Sequence, residues 1–111
     1  MEIAEETQGT TLVVRPAGRL DRTTSPELER LLLARIEGGA ARLLIDFAGI
    51  EYVSSAGLRV VLVAGKRVKA ANGALALCSL RPAIREVFDI SGFATLFPIH
   101  PDAAAALAAA G

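Results

Sequence analysis

Cysteine occurs once in the 111-residue sequence, at position 78, and tryptophan does not occur. A single thiol cannot close an internal disulfide and suits a reducing compartment. Within ALALCSL (74–80) it reads as a small buried hydrophobe rather than a nucleophile, because no histidine lies near it in sequence. Aromatic residues make up only 5% of the chain, so the expected core is aliphatic. An excess of either charge is also missing: twelve Lys and Arg balance twelve Asp and Glu. That removes the electrostatic footprint of a protein that binds nucleic acid or an anionic membrane. No apolar run reaches the roughly 18 residues of a membrane span, and three glutamates stand in the first 15 residues, where a signal peptide has a basic start. The expectation is a cytoplasmic protein with no direct membrane insertion.

The usual marks of catalysis are scarce as well. The one histidine, His100, lies between Ile99 and Pro101 as a loop or cap residue and supplies neither a metal constellation nor a triad. LRVVLVAGK has Val60 where a phosphate-binding loop needs its first glycine, and Arg67 where it needs serine or threonine. Ser55 lacks the glycine two residues before it that a nucleophile elbow requires. An enzyme is not expected, and no cofactor or metal is called for.

What the chain does contain is a series of short apolar blocks separated by turn residues, in a length suited to one domain, 1–111. EIAEETQ and TTLVVRPAGRL (10–20) predict a hairpin whose second strand ends or bends at Pro16 and Gly18. TTSPELERLLLARIEGG predicts a helix capped by Thr24 or Ser25, with Pro26 in its first turn, Leu28, Leu31, Leu32 and Ile36 inward, and Gly38-Gly39 as the stop. RLLIDF (42–47) is continuously apolar up to Asp46 and suits a strand covered on both faces. From Leu58, apolar residues at 58, 61, 62, 65 and 68 predict an amphipathic helix closed by Asn72-Gly73. Its Lys66, Arg67 and Lys69 form a solvated face. ALALCSL is a further buried strand, and RPAIREVFDISG a helix with Ile84, Val87 and Phe88 inward. TLFPI is a last strand, and PDAAAALAAAG an alanine-rich helix anchored by Leu107. The order implies an α/β fold: a mixed, mostly parallel β-sheet with an N-terminal antiparallel hairpin and about four α-helices. In such a sheet, function gathers at the carboxyl ends of the strands. Asp21, Asp46 and Ser54-Ser55 are expected to converge there.

The segment EYVSSAGLRVVL (51–62) is the one whose local reading is insufficient. A serine before a helix is first of all an N-cap. The chain, however, resembles the STAS domain family of anti-sigma factor antagonists over residues 3–107. The resemblance is carried by GRLDRTTSPELERLL, LLIDFAGIEYVSSAGLRVVL and PAIREVFDISGFATLFPI. It implies that Ser55, two positions before Gly57, is a phosphorylation acceptor, with Ser54 as second choice. It also implies a partner-binding surface of Asp21, Ser54, Ser55, Gly57 and Arg59, supported by Asp46. The implied partner is an anti-sigma factor with serine/threonine kinase activity, bound when Ser55 is unmodified and released after phosphorylation, by a monomer or weak dimer. Family members often carry aspartate where this chain has Ser54. The alternative is therefore a non-phosphorylated STAS adaptor subunit of a lipid-transport ABC complex or signalling scaffold.

Overall fold

Strands β1 (Glu2–Gln8) and β2 (Thr11–Leu20) open the chain as an antiparallel hairpin in register from Glu2↔Ala17 to Gln8↔Thr11, as the sequence predicts. Gly9, at φ 61°, supplies the left-handed residue of the turn. β2 does not end at Pro16. Its first half is paired on both sides, with β1 and with β3 (Arg42–Asp46), and its last three residues pair in parallel with a short strand, β4 (Ile50–Val53). The bend falls at Gly18, where φ is 104° and the register to β4 shifts. The structure is a computed structural model and describes residues 1–110.

The remaining elements follow in the order α1 (Ser25–Glu37), β3, β4, α2 (Ser55–Ala70), β5 (Ala74–Cys78), α3 (Pro82–Ile90), a 3₁₀ turn (Phe93–Thr95), β6 (Ile99–His100) and α4 (Ala103–Ala110). The six-stranded sheet runs β1-β2-β3-β5-β6, with β4 alongside the far end of β2; only the β1–β2 pair is antiparallel. Alternation along the strands sorts the core into two layers. Val14, Leu43, Ile45, Leu75 and Leu77 pack with Leu28, Leu32, Val61, Ala64 and Val68 of α1 and α2 on one face. Val13, Leu44 and Cys78 meet Ala106 of α4 on the other. The continuous apolar run of β3 is thus buried on both sides.

Several local expectations are corrected. β4 was not anticipated from sequence: four residues with only Ile50 and Val53 buried carry no periodic signal. α2 starts at Ser55, as the serine pair predicts, but its buried stripe runs through Gly57, Val60, Val61, Ala64, Gly65 and Val68, leaving Leu58 and Leu62 half-buried. The reason is that two glycines let the helix lie close to its neighbours. TLFPI is not one strand, since the 3₁₀ turn takes Thr95 and only Ile99–His100 pair with β5. Val87 is 36% exposed, because Ile84 and Phe88 alone fill the inward face of a nine-residue helix. The core is mainly aliphatic, yet all four phenylalanines join edge to face in one chain, Phe47–Phe88–Phe93–Phe97, with centroid spacings of 5.5, 5.4 and 6.1 Å.

Candidate functional site

β2 and β4 end side by side, Leu20 opposite Val53. The two chain segments leaving them form one surface at the carboxyl edge of the sheet. The Ser54 N–H donates to the Leu20 carbonyl at 2.9 Å and stitches the start of α2 to the end of β2. Ser54 itself is extended, at φ −90° and ψ 176°, and its Oγ accepts the Gly57 N–H at 3.4 Å while its carbonyl accepts the Leu58 N–H at 3.0 Å. The cap reading of the serine pair therefore applies to Ser54. Ser55 is the first helical residue and is exposed, and among the described residues no hydrogen bond claims its hydroxyl.

The neighbouring turn is built by Asp21 and Thr24. Asp21 Oδ1 accepts the Thr23 N–H at 2.9 Å and the Thr24 N–H at 3.1 Å. These donors, the Thr24 N–H foremost, hold the Asp21 carboxyl below the usual carboxylate range. The Thr24 hydroxyl donates to the Arg19 carbonyl at 2.6 Å and accepts the Asp21 N–H at 3.0 Å. It is engaged backwards and makes no side-chain cap on α1, although Thr24 holds the N-cap position. Ser25, the other expected cap, has a buried hydroxyl with no partner.

Two expected members of the site have evident structural roles. Asp46 alternates with Ile45 in β3, which puts its side chain on the α4 face with Leu44 and Cys78. There Oδ2 takes the Arg15 Nε–H at 3.3 Å and Oδ1 the Ala48 N–H at 3.0 Å, so Asp46 holds the β3–β4 turn. Gly57 is buried rather than presented to a partner. A Cβ there would lie 2.8 Å from Leu20 Cγ, 2.9 Å from the Leu20 carbonyl oxygen and 3.0 Å from Val53 Cγ1. Its absence lets α2 begin against the strand ends. Arg59, by contrast, is exposed one helical turn after Ser55.

Two residues of the surface were not singled out from sequence. The Arg19 guanidinium sits 4.1 Å from the centre of the Tyr52 ring and its Nε 3.9 Å from Asp21 Oδ2. Tyr52 is the only tyrosine and is 41% exposed; an aromatic residue just before a polar loop was the available signal. Among the described residues no group of three or more His, Cys, Asp or Glu is placed to hold a metal ion. Clefts of about 510 and 720 Å³ lie around Ala41 and Arg42, at the opposite end of the parallel strands. At the Ser55 surface an exposed serine stands beside the turn folded by Asp21 and Thr24. Among the described residues no helix is long and apolar enough to cross a membrane.

Comparison with known proteins matches this arrangement to one family. The STAS domain profile covers residues 2–106. BtrV of Bordetella bronchiseptica, provisionally named an anti-sigma factor antagonist, is 42% identical over 92 residues, 83% of this chain and 79% of its own. The crystal structure of an anti-sigma factor antagonist from Mycobacterium paratuberculosis is 25% identical and superposes with a TM-score of 0.90 over 97% of this chain and 92% of its own. The phosphorylated form of the Bacillus cell fate determinant SpoIIAA, at 22% identity, shares the fold, with a TM-score of 0.79 over 99% of this chain and 100% of its own.

Proposed function

The chain belongs to the STAS domain family, and from that membership we propose that residues 1–111 act as one STAS domain, a cytoplasmic anti-sigma factor antagonist switched by phosphorylation of Ser55. Its partner is an anti-sigma factor with serine/threonine kinase activity. The partner docks on the surface formed by Asp21, Ser54, Ser55 and Arg59 and leaves once the phosphate is in place. The domain works as a monomer or weak dimer and catalyses nothing itself.

The observation that carries this reading is the division of labour between the two serines. Ser54 is consumed as the cap of α2, whereas the Ser55 hydroxyl is exposed and unclaimed. Phosphorylation adds about −1.5 to −2 charges and three acceptor oxygens. The fold tolerates this, because the group stands at a helix N-terminus and outside the core. An apolar or acidic partner surface does not, because it would have to desolvate the new charge beside Asp21. The relatives named as anti-sigma factor antagonists support the same role.

The test is incubation with the cognate kinase and ATP, followed by mapping of the modified residue and measurement of partner binding. Phosphate is expected on Ser55, and Ser55→Asp is expected to lose the partner while Ser54→Ala keeps the acceptor. Absence of phosphate from both serines, or full binding by Ser55→Asp, would overturn the switch. A complex with an ATPase subunit that is stable and insensitive to ATP would replace it with an adaptor role.

A further inference from the structure

α2 carries no acidic residue: its sixteen positions, SAGLRVVLVAGKRVKA, contain one arginine in the first half and three basic residues in the second. The late cations suit the carboxyl end of a helix, but Arg59 sits near the amino end, where the helix field disfavours a positive charge. Among the described residues Arg59 enters no ion pair, and its neighbours at three and four residues along the helix are Ser55, Ala56, Leu62 and Val63. The carboxylate of Asp21 is engaged by the Thr23 and Thr24 N–H groups and approached by Arg19. Arg59 is thus a charge without a partner, one turn from an exposed hydroxyl without a partner.

We propose that Arg59 is the phosphate-receiving residue of this chain: when Ser55 carries a phosphoryl group, the Arg59 guanidinium pairs with it across one turn of α2. The proposal rests on the reading of Ser55 as the acceptor and deepens it. Residues four apart on a helix have Cβ atoms about 5–6 Å apart, within reach of a guanidinium and a phosphate oxygen, with the anion on the amino-terminal side as the helix field prefers. A guanidinium matches two phosphate oxygens at once. Pairing also changes what a partner meets. In the unmodified chain Arg59 is free to contact an acidic group; in the phosphorylated chain it is drawn back onto its own helix. One modification would then both add a charge and withdraw one.

The experiment needs no kinase: phosphoserine is installed at position 55 during translation, and the second ionisation of the phosphate is followed by ³¹P NMR in the whole chain at low salt. The pair stabilises the dianion, so the wild-type midpoint should lie below that of Arg59→Gln by about 0.3, from the energy of a helical ion pair and the constant relating pKa to free energy. Arg59→Lys should keep most of the effect. Lys69→Gln, an equal loss of charge near the far end of α2, should leave the midpoint unchanged, and 1 M salt should erase the Arg59 effect by screening. Identical midpoints for wild type and Arg59→Gln, or an equal shift from Lys69→Gln, would overturn the proposal. Because phosphate is supplied directly, that failure is distinct from failure of the kinase to modify Ser55.

Discussion

Replacing Gly57 with alanine sets two well-defined effects against each other. In a helix alanine is favoured over glycine by up to about 1 kcal/mol, so propensity alone makes Gly57→Ala stabilising. Packing says the reverse. The added methyl would meet Leu20 Cγ at 2.8 Å and Val53 Cγ1 at 3.0 Å, and also the Leu20 carbonyl oxygen at 2.9 Å. The side-chain atoms can turn away; the carbonyl cannot, because it holds the Ser54 N–H at 2.9 Å and belongs to a strand paired with β4. The start of α2 must retreat by several tenths of an ångström and lengthen that hydrogen bond. Overpacking of this kind costs about 1–3 kcal/mol, which exceeds the propensity gain. The expected net loss is about 1–2 kcal/mol, or roughly 5–10 °C in Tm for a chain of this size. Urea unfolding should show a lower midpoint with an unchanged slope. Under the switch proposed above, modification of Ser55 should slow as well, since the retreating turn carries the hydroxyl. A variant as stable as wild type, or more so, would refute the argument that Gly57 is present for close approach.

Three further outcomes follow from the same structure. Gly65→Ala should cost more than Gly57→Ala, about 3 kcal/mol or more, because its Cβ would fall 2.2 Å from the Phe97 ring at the end of the phenylalanine chain; thermal melts compare the two. Ser25→Ala should raise stability by about 1 kcal/mol in urea titration, since it removes a buried hydroxyl that has no partner at no loss of contact. Burial pushes the Cys78 thiol up to about 11 from an ordinary value of 9.0, with the Asp46 carboxylate adding to it. The folded state then binds the proton more tightly than the unfolded state. The corresponding stability is fully present below pH 9 and is lost as pH rises through 11, about 2–3 kcal/mol in the limit, so wild type should lose more stability than Cys78→Ala over that window.

The parts of this fold that were legible in sequence are those in which one side chain reports its own surroundings. The run of β3 read as doubly covered because Leu43, Leu44 and Ile45 leave no polar face, and the two core layers confirm why. The hairpin was visible in the apolar β-branched run of its second strand. What escaped depends on pairs distant in sequence. β4 exists because β2 bends at Gly18 and offers Arg19 and Leu20 a new neighbour, which no property of IEYV alone reveals. The stripe of α2 was right at 61, 65 and 68 but missed Gly57, Val60 and Ala64, because the close approach of Gly57 to Leu20, which turns that side of the helix inward, is a contact between residues distant in sequence. Val87 was counted inward on periodicity, but α3 has only Ile84 and Phe88 to bury. At the candidate site, the cap at the start of α2 was legible in the serine pair, while the sheet face of Asp46 depended on alternation that only the paired strand defines.

That dependence bears on how the switch proposed above would be built. The start of α2 is anchored three times over: by the Ser54 N–H on the Leu20 carbonyl, by Ser54 Oγ on the Gly57 N–H, and by Gly57 against Leu20 and Val53. All three anchors lie on one side of the junction. Ser55 and Arg59 lie on the other, held in place by the anchors yet contributing none of them. A phosphate on Ser55 therefore adds its charge at a rigid, predefined point without removing an interaction that the fold needs. Had Ser55 been the cap, modification would have traded helix stability against signalling. With Ser54 as the cap, the modified chain should unfold at nearly the same temperature as the unmodified one while presenting a different surface, and a large fall in Tm on phosphorylation would show that the two serines had been assigned the wrong way round.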